Sequence, residues 1–261
     1  MGQVTLGTTQ TLVDALGRAR RAELDAYVLA NRRLIAALGD AASRGCDVHV
    51  RLCKRPHGDA RLGRTNEALA RRLRARGVEV TLAPAYGPHS RHDKVALVGS
   101  RLFIDDRNWR SSPDETIVIQ RARSLRTQTK AAALELERRL LAGGRGHDVL
   151  VSTETLGPGP IADVVAARAR RGDRVRLLYN AAEGNAAARE TTVRKLRAAG
   201  VELRPSTANH KVAVVGNRAW LGSANATAAG AGAGRESGVL VGGTLARTIR
   251  ERAEQIWRRA Q

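Results

Sequence analysis

The stretch RHDKVALVGSRLFIDDRNW at residues 91–109 is written a second time, as ANHKVAVVGNRAWLGSANAT at 208–227. Aligned on Lys94 and Lys211, the copies share K-V-A-(L/V)-V-G-x-R and then an asparagine at the same distance, Asn108 and Asn225. Farther out, RLRARGVEV and KLRAAGVEL extend the correspondence at an offset of about 120 residues. One supersecondary plan is therefore built twice. A duplication kept only for packing would mainly preserve the apolar pattern, whereas here polar residues also recur at fixed places.

Each half reads as the same order of elements. The first gives strands at LDAYVLA, DVHVRLC, VEVTLAP, KVALVG, RLFIDD and ETIVIQ, with helices at NRRLIAALGDAASRG, NEALARRLRARG and SLRTQTKAAALELERRLLAG. The second gives strands at HDVLVSTET, RVRLLYN, VELRPS, KVAVVG, RAWLG and ESGVLV, with helices at IADVVAARARRG, AAARETTVRKLRAAG and LARTIRERAEQIWRRA. Helices that end in Gly and alternate with short apolar strands predict an α/β fold of two sandwich domains with covered, mixed sheets flanked by helices. The Gly-rich junction LAGGRGHD sets the expected domains at 1–143 and 144–261, related by an approximate two-fold axis.

At 261 residues and 43% hydrophobic content the chain can bury a real core. Lys and Arg number 45 against 25 Asp and Glu, a net charge of +20 that favours polyanionic partners. Two cysteines, Cys46 and Cys53, are too few for a disulfide framework and lack metal-site spacing. With neither a leader pattern nor a long apolar run, the expectation is a cytoplasmic protein with no stable membrane insertion.

Only five lysines occur in this arginine-rich chain, and two of them, Lys94 and Lys211, stand at equivalent repeat positions. A compact ammonium retained there fits a tight space, such as one phosphoryl group gripped from both sides. Residues i and i+2 of a strand share a face, so His92 projects with Lys94, a nucleophile or base beside a fixed cation. Asn108 and Asn225 follow a second strand, where an amide can donate to a phosphoryl oxygen. Glu115 and Glu236 stand at the mouth of a third strand, where a carboxylate can hold an imidazole in one tautomer.

With these residues in order, the chain resembles the phospholipase D superfamily, whose signature is H-x-K, then G-S-x-N, then a downstream acid, once per half. His92-Asp93-Lys94, Asn108 and Glu115 match in the first half; Lys211, Gly222-Ser223-Ala224-Asn225 and Glu236 match in the second. Three departures stand out. Gly99 and Gly216 occupy the place of a frequent Asp, Asp105-Asp106-Arg107-Asn108 replaces G-S-x-N, and Asn209 replaces the second histidine. His210 is adjacent, and strand alternation turns it to the opposite face, although it is retained as a substrate-contact candidate.

The resemblance implies phosphodiester chemistry through a phosphohistidine, with no metal and no cofactor. It assigns His92 as nucleophile, Glu115 as its orienter, and Lys94, Lys211, Asn108 and Asn225 as the phosphate clamp. Asn209 has no proton to give, so the acid/base step of the second half is impaired as written. Basic runs in both halves make nucleic acid the first substrate class, with Ser223, Trp109 and Trp220 as binding candidates and the tryptophans set to stack unpaired bases of single-stranded DNA. The alternatives are a lipid phosphodiesterase or phosphatidyltransferase and a nucleic-acid-binding pseudoenzyme. Both motif copies lie in one chain, so a monomer is expected.

Overall fold

A computed structural model describes residues 4–56, 59–87, 89–109, 116–125, 127–143, 147–207, 209–228 and 234–260. In chain order the elements are β1 (Thr5–Gly7), α1 (Thr9–Leu16), β2 (Arg21–Ala26), α2 (Arg32–Ser43), β3 (Asp47–Cys53), α3 (Ala60–Arg74), β4 (Glu79–Ala83), β5 (Val95–Val98), β6 (Arg101–Asp105), β7 (Ile117–Arg121) and β8 (Gln128–Thr129). They continue as α4 (Lys130–Gly143), β9 (Asp148–Thr153), α5 (Pro160–Arg170), β10 (Arg174–Tyr179), α6 (Ala186–Ala198), β11 (Glu202–Pro205), β12 (Val212–Val215), β13 (Arg218–Gly222), β14 (Arg235–Glu236), β15 (Gly238–Gly242) and α7 (Gly243–Arg259). No described helix is long and apolar enough to cross a membrane.

The chain forms two compact units, Met1–Thr129 with Ala231–Ser237, and Lys130–Gly230 with Gly238–Gln261. The first holds a seven-stranded sheet in the order β1-β7-β6-β5-β2-β3-β4, in which β2, β3 and β4 run parallel and the rest pair antiparallel. The second holds a six-stranded sheet, β11-β10-β9-β12-β13-β15, with β9, β10 and β11 parallel. The plan is the same in each, a parallel βαβαβ run followed by an antiparallel meander, and the mixed sheets agree with the sequence pattern.

The repeated segment supplies the central strand of each sheet. All four residues of β5 and of β12 are buried, as unbroken apolar runs require when both faces of a sheet are covered. Each then turns into its neighbour through a two-residue loop, Gly99-Ser100 or Gly216-Asn217. The glycines take φ of 58° and 57°, a left-handed conformation that Gly adopts without strain. That turn accounts for glycine where the resembled family often has Asp.

Three expectations need correction in detail. The strand expected at 24–30 begins at Arg21 and ends at Ala26, because its register with β3 runs from Arg21–Asp47 to Ala26–Leu52. Helix α3 begins at Ala60, capped by Asp59 accepting from the Arg61 and Leu62 N–H groups, where the sequence pattern started it at Asn66. The helix expected from Ser124 starts at Lys130, since Gln128–Thr129 pairs antiparallel with β14.

Helix α4 carries an anomaly within the second core. Glu137 lies between Leu134 and Leu141 on the buried stripe, and its Oε2 finds no hydrogen-bond partner. Burial pushes its carboxyl up to about 8 from 4.5. The unfolded chain ionises this group above pH 4.5 while the fold keeps it protonated to about 8, so its penalty to stability grows as pH rises between those values. Glu137→Gln is therefore expected to gain stability over the parent increasingly from about pH 5 to about pH 8, by a few kcal/mol at the upper end, measured by urea unfolding at each pH.

Candidate functional site

Within the first unit, His92 and Lys94 lead into β5. Lys94 is only 1% exposed; its Nζ donates to the carbonyl of His92 at 2.7 Å and lies 5.7 Å from the centre of the Tyr27 ring. A buried ammonium requires such partners. Tyr27 also meets His92 edge-on, with ring centres 4.6 Å apart. The His92 ring is thus fixed from one side by an aromatic wall.

Its orientation is fixed by Glu236, whose carboxylate oxygens lie 2.9 and 3.0 Å from His92 Nδ1. A proton on Nδ1, donated to that carboxylate, places the lone pair on Nε2. The backbone explains how residues so far apart in sequence meet. Arg235 N–H donates to Ser90 O, His92 N–H donates to Arg235 O, and Arg91 and Arg235 form a bridge. Gly234 permits this approach, since a Cβ there would fall 2.1 Å from Ser90 Oγ and 2.5 Å from its carbonyl oxygen. The carboxylate at His92 is therefore Glu236, whereas the sequence reading had paired it with Glu115. Glu115 lies outside the described residues.

Asp93, between the two, is turned away into a charged cluster. Arg91 Nη1 stands 3.5 Å from Asp25 and 3.6 Å from Asp93, and Arg51 Nε bonds Asp25 at 2.5 Å. Both carboxylates are completely buried, and burial raises both, Asp93 well above the usual range with the Asp25 charge adding to the effect. Asn108 follows β6 in a tight segment. Asp105 accepts from the Trp109 N–H at 2.8 Å, and Asn31, the cap of α2, donates to Trp109 O at 3.1 Å. Trp109 itself adopts φ of 53°, an uncommon conformation for a bulky residue and one that persists where its surroundings impose it.

Within the second unit, Lys211 is 1% exposed and repeats the fold-back, its Nζ donating to Asn209 O at 3.3 Å. Here the ammonium also pairs with Glu154 Oε2 at 2.8 Å. Asn225 Oδ1 accepts the Thr155 N–H at 3.1 Å. Register shows that Glu154 is the counterpart of Tyr27. Asp25 pairs with Val95 in β5 and Ser152 with Val212 in β12, and the two residues each lie two positions farther on. One lysine thus meets an aromatic face and the other a carboxylate. Neither partner was found from sequence, since an unlike pair leaves no trace in a repeat.

The tryptophan assignments need correction. Trp109 is 0% and Trp220 1% exposed, each packed into the core of its own unit, so neither offers a face to a base. Large aromatic surfaces gain more from burial than a polar turn gains by displaying them. Ser223 and His210 are also buried.

Residues 145–257 match the family model described as "Cardiolipin synthase, PLD-like domain". No curated protein sequence matches significantly. Among solved structures, phosphatidylserine synthase from Haemophilus influenzae Rd KW20 is 10% identical with a TM-score of 0.72, over 99% of this chain and 87% of that one. Polyphosphate kinase from Porphyromonas gingivalis is 16% identical with a TM-score of 0.66, over 98% of this chain; the match spans 47% of the kinase. A mutant of yeast tyrosyl-DNA phosphodiesterase is 10% identical with a TM-score of 0.51, over 93% and 88%. The fold so defined is a duplicated α/β fold. Residues 145–257 thus match a PLD-like domain, and the chain as a whole shares the fold of these solved structures.

The Lys211–Glu154 pair has a direct thermodynamic signature. Glu154→Ala strands a buried ammonium and is expected to destabilise the protein by about 3–5 kcal/mol, whereas the double variant Glu154→Leu with Lys211→Met recovers most of the loss. Urea unfolding of the double-mutant cycle measures it.

Proposed function

We propose that the protein is a phosphodiesterase that cleaves nucleic acid, with single-stranded DNA as first substrate, through a phosphohistidine at His92. The observation that carries this reading is the pairing of His92 Nδ1 with Glu236, which makes Nε2 the attacking atom. Nε2 attacks phosphorus, an N–P bond forms as the P–O bond to the leaving strand breaks, and the leaving oxygen takes up a proton. Water then cleaves the N–P bond, giving up a proton and restoring the imidazole. Lys94 and Asn108 stabilise charge on the phosphoryl oxygens, and the same work falls to Lys211 and Asn225 in the second half, with neither metal nor cofactor in the scheme.

Nucleic acid is favoured by the net charge of +20. A lipid phosphatidyltransferase is the second reading, favoured by the description of the matched family and by the fold shared with the Haemophilus synthase. Against it, Tyr86 is the one large hydrophobic side chain exposed among the described residues, where entry to a membrane interface calls for several.

Asn209 cannot transfer a proton near neutral pH, so restoring a histidine is the informative change. Asn209→His is expected to raise turnover of single-stranded DNA in excess EDTA by about 10²–10⁴-fold, with His92→Ala abolishing it. Gain on phosphatidyl esters and none on DNA would establish the lipid reading. No gain on either, with affinity for DNA kept, would establish a binding protein without turnover.

A further inference from the structure

Helices α2 and α3 of the first unit enclose a groove of about 650 Å³. Ile35, Ala36, Leu73 and Ala75 line it together with Arg32, Arg72 and Arg76. Arg76 is built in: it donates to Asp40 at 2.6 Å and to the Ala36 carbonyl at 3.4 Å, and it lies over Gly39, where a Cβ would sit 2.6 Å from its guanidinium carbon. Arg32 and Arg72 pair with no carboxylate among the described residues. Two uncommitted cations beside an apolar lining suit a ligand that is anionic along one edge and flat and apolar along the other.

The second unit supplies an internal comparison. Its corresponding helices, α5 and α6, are bridged by Asp163 and Lys195 at 2.5 Å. The α2–α3 pair has a like bridge, Arg76 with Asp40 at 2.6 Å. What distinguishes Arg32 and Arg72 from the other open arginines is that both line this groove. The groove also starts close to the His92 half-site: Arg32 directly follows Asn31, which holds the Trp109 carbonyl next to Asn108.

We propose that the α2–α3 groove is a docking site for a single nucleic-acid strand, with Arg32 and Arg72 on successive phosphates and a base over Ile35 and Ala75. The net charge of +20 supplies the long-range attraction and the groove the local fit. The inference rests on the nucleic-acid reading given above, and it adds a contact site away from the reacting phosphate that extends the footprint along the strand.

The test compares the parent, the double variant Arg32→Ser with Arg72→Ser, and a control of equal charge change on α6, Arg194→Ser with Arg197→Ser. Fluorescence anisotropy with a labelled oligothymidylate is followed across a salt series, alongside hydrolysis of bis(p-nitrophenyl) phosphate. The groove variant is expected to bind more weakly and to lose about 1.4 from the slope of log K against log salt, at about 0.7 per phosphate contact, while the control keeps the parent slope. Its hydrolysis of the small diester is expected to stay at the parent rate. An equal loss in the control, or no loss in the groove variant, overturns the groove. Loss of binding to phosphatidylglycerol vesicles with oligonucleotide binding kept overturns it in favour of a lipid surface. If the Asn209→His form fails to hydrolyse the small diester while oligonucleotide binding still depends on Arg32 and Arg72, the catalytic reading fails and the docking site stands.

Discussion

Two ammonium groups held almost entirely out of water set the terms for each half of this protein. Lys94 and Lys211 are each 1% exposed, and an isolated buried charge costs several kcal/mol. Both are folded back onto the carbonyl two residues earlier, which fixes the ammonium at the mouth of an apolar strand. The strands β5 and β12 bring this about by lying at the centre of their sheets, buried on both faces, so that the chain entering them has little freedom. The tight Gly99 and Gly216 turns then return the chain so that the asparagine segments follow the neighbouring strands.

On this shared frame the halves differ in a partner of each lysine. Lys94 meets the face of Tyr27 and shares that ring with His92. Lys211 meets the carboxylate of Glu154, and the residue two before it is Asn209. In the first half an imidazole oriented by a carboxylate stands beside the ammonium; in the second an ammonium–carboxylate pair stands beside an amide. The proposed attack is accordingly placed at His92, and the proposed loss of proton transfer at Asn209.

Much of this could be read from the chain. The repeat identified the central strands, the paired lysines and the asparagines, because each is fixed by local backbone geometry that a duplicated sequence must copy. Long-range pairing was not legible. Glu236 reaches His92 only because the Gly234–Glu236 segment lies along Ser90–His92, a contact across 144 positions that no periodicity encodes. Trp109 and Trp220 were misread because their position beside site residues resembles display, whereas their size drives them into the cores. Tyr27 and Glu154 escaped notice because equivalent places hold unlike residues. Strand ends shifted by a few residues, as register with a neighbour outweighs local pattern.

The account turns on one atom, Nε2 of His92. The most direct measurement is peptide mapping by mass spectrometry of the Asn209 protein, mixed with single-stranded DNA in EDTA and quenched at alkaline pH, where a P–N bond survives. The account predicts one phosphoryl–DNA adduct, on the peptide that contains His92 and lost in Glu236→Ala. An adduct on any other residue, or DNA cleavage with none formed, would contradict it.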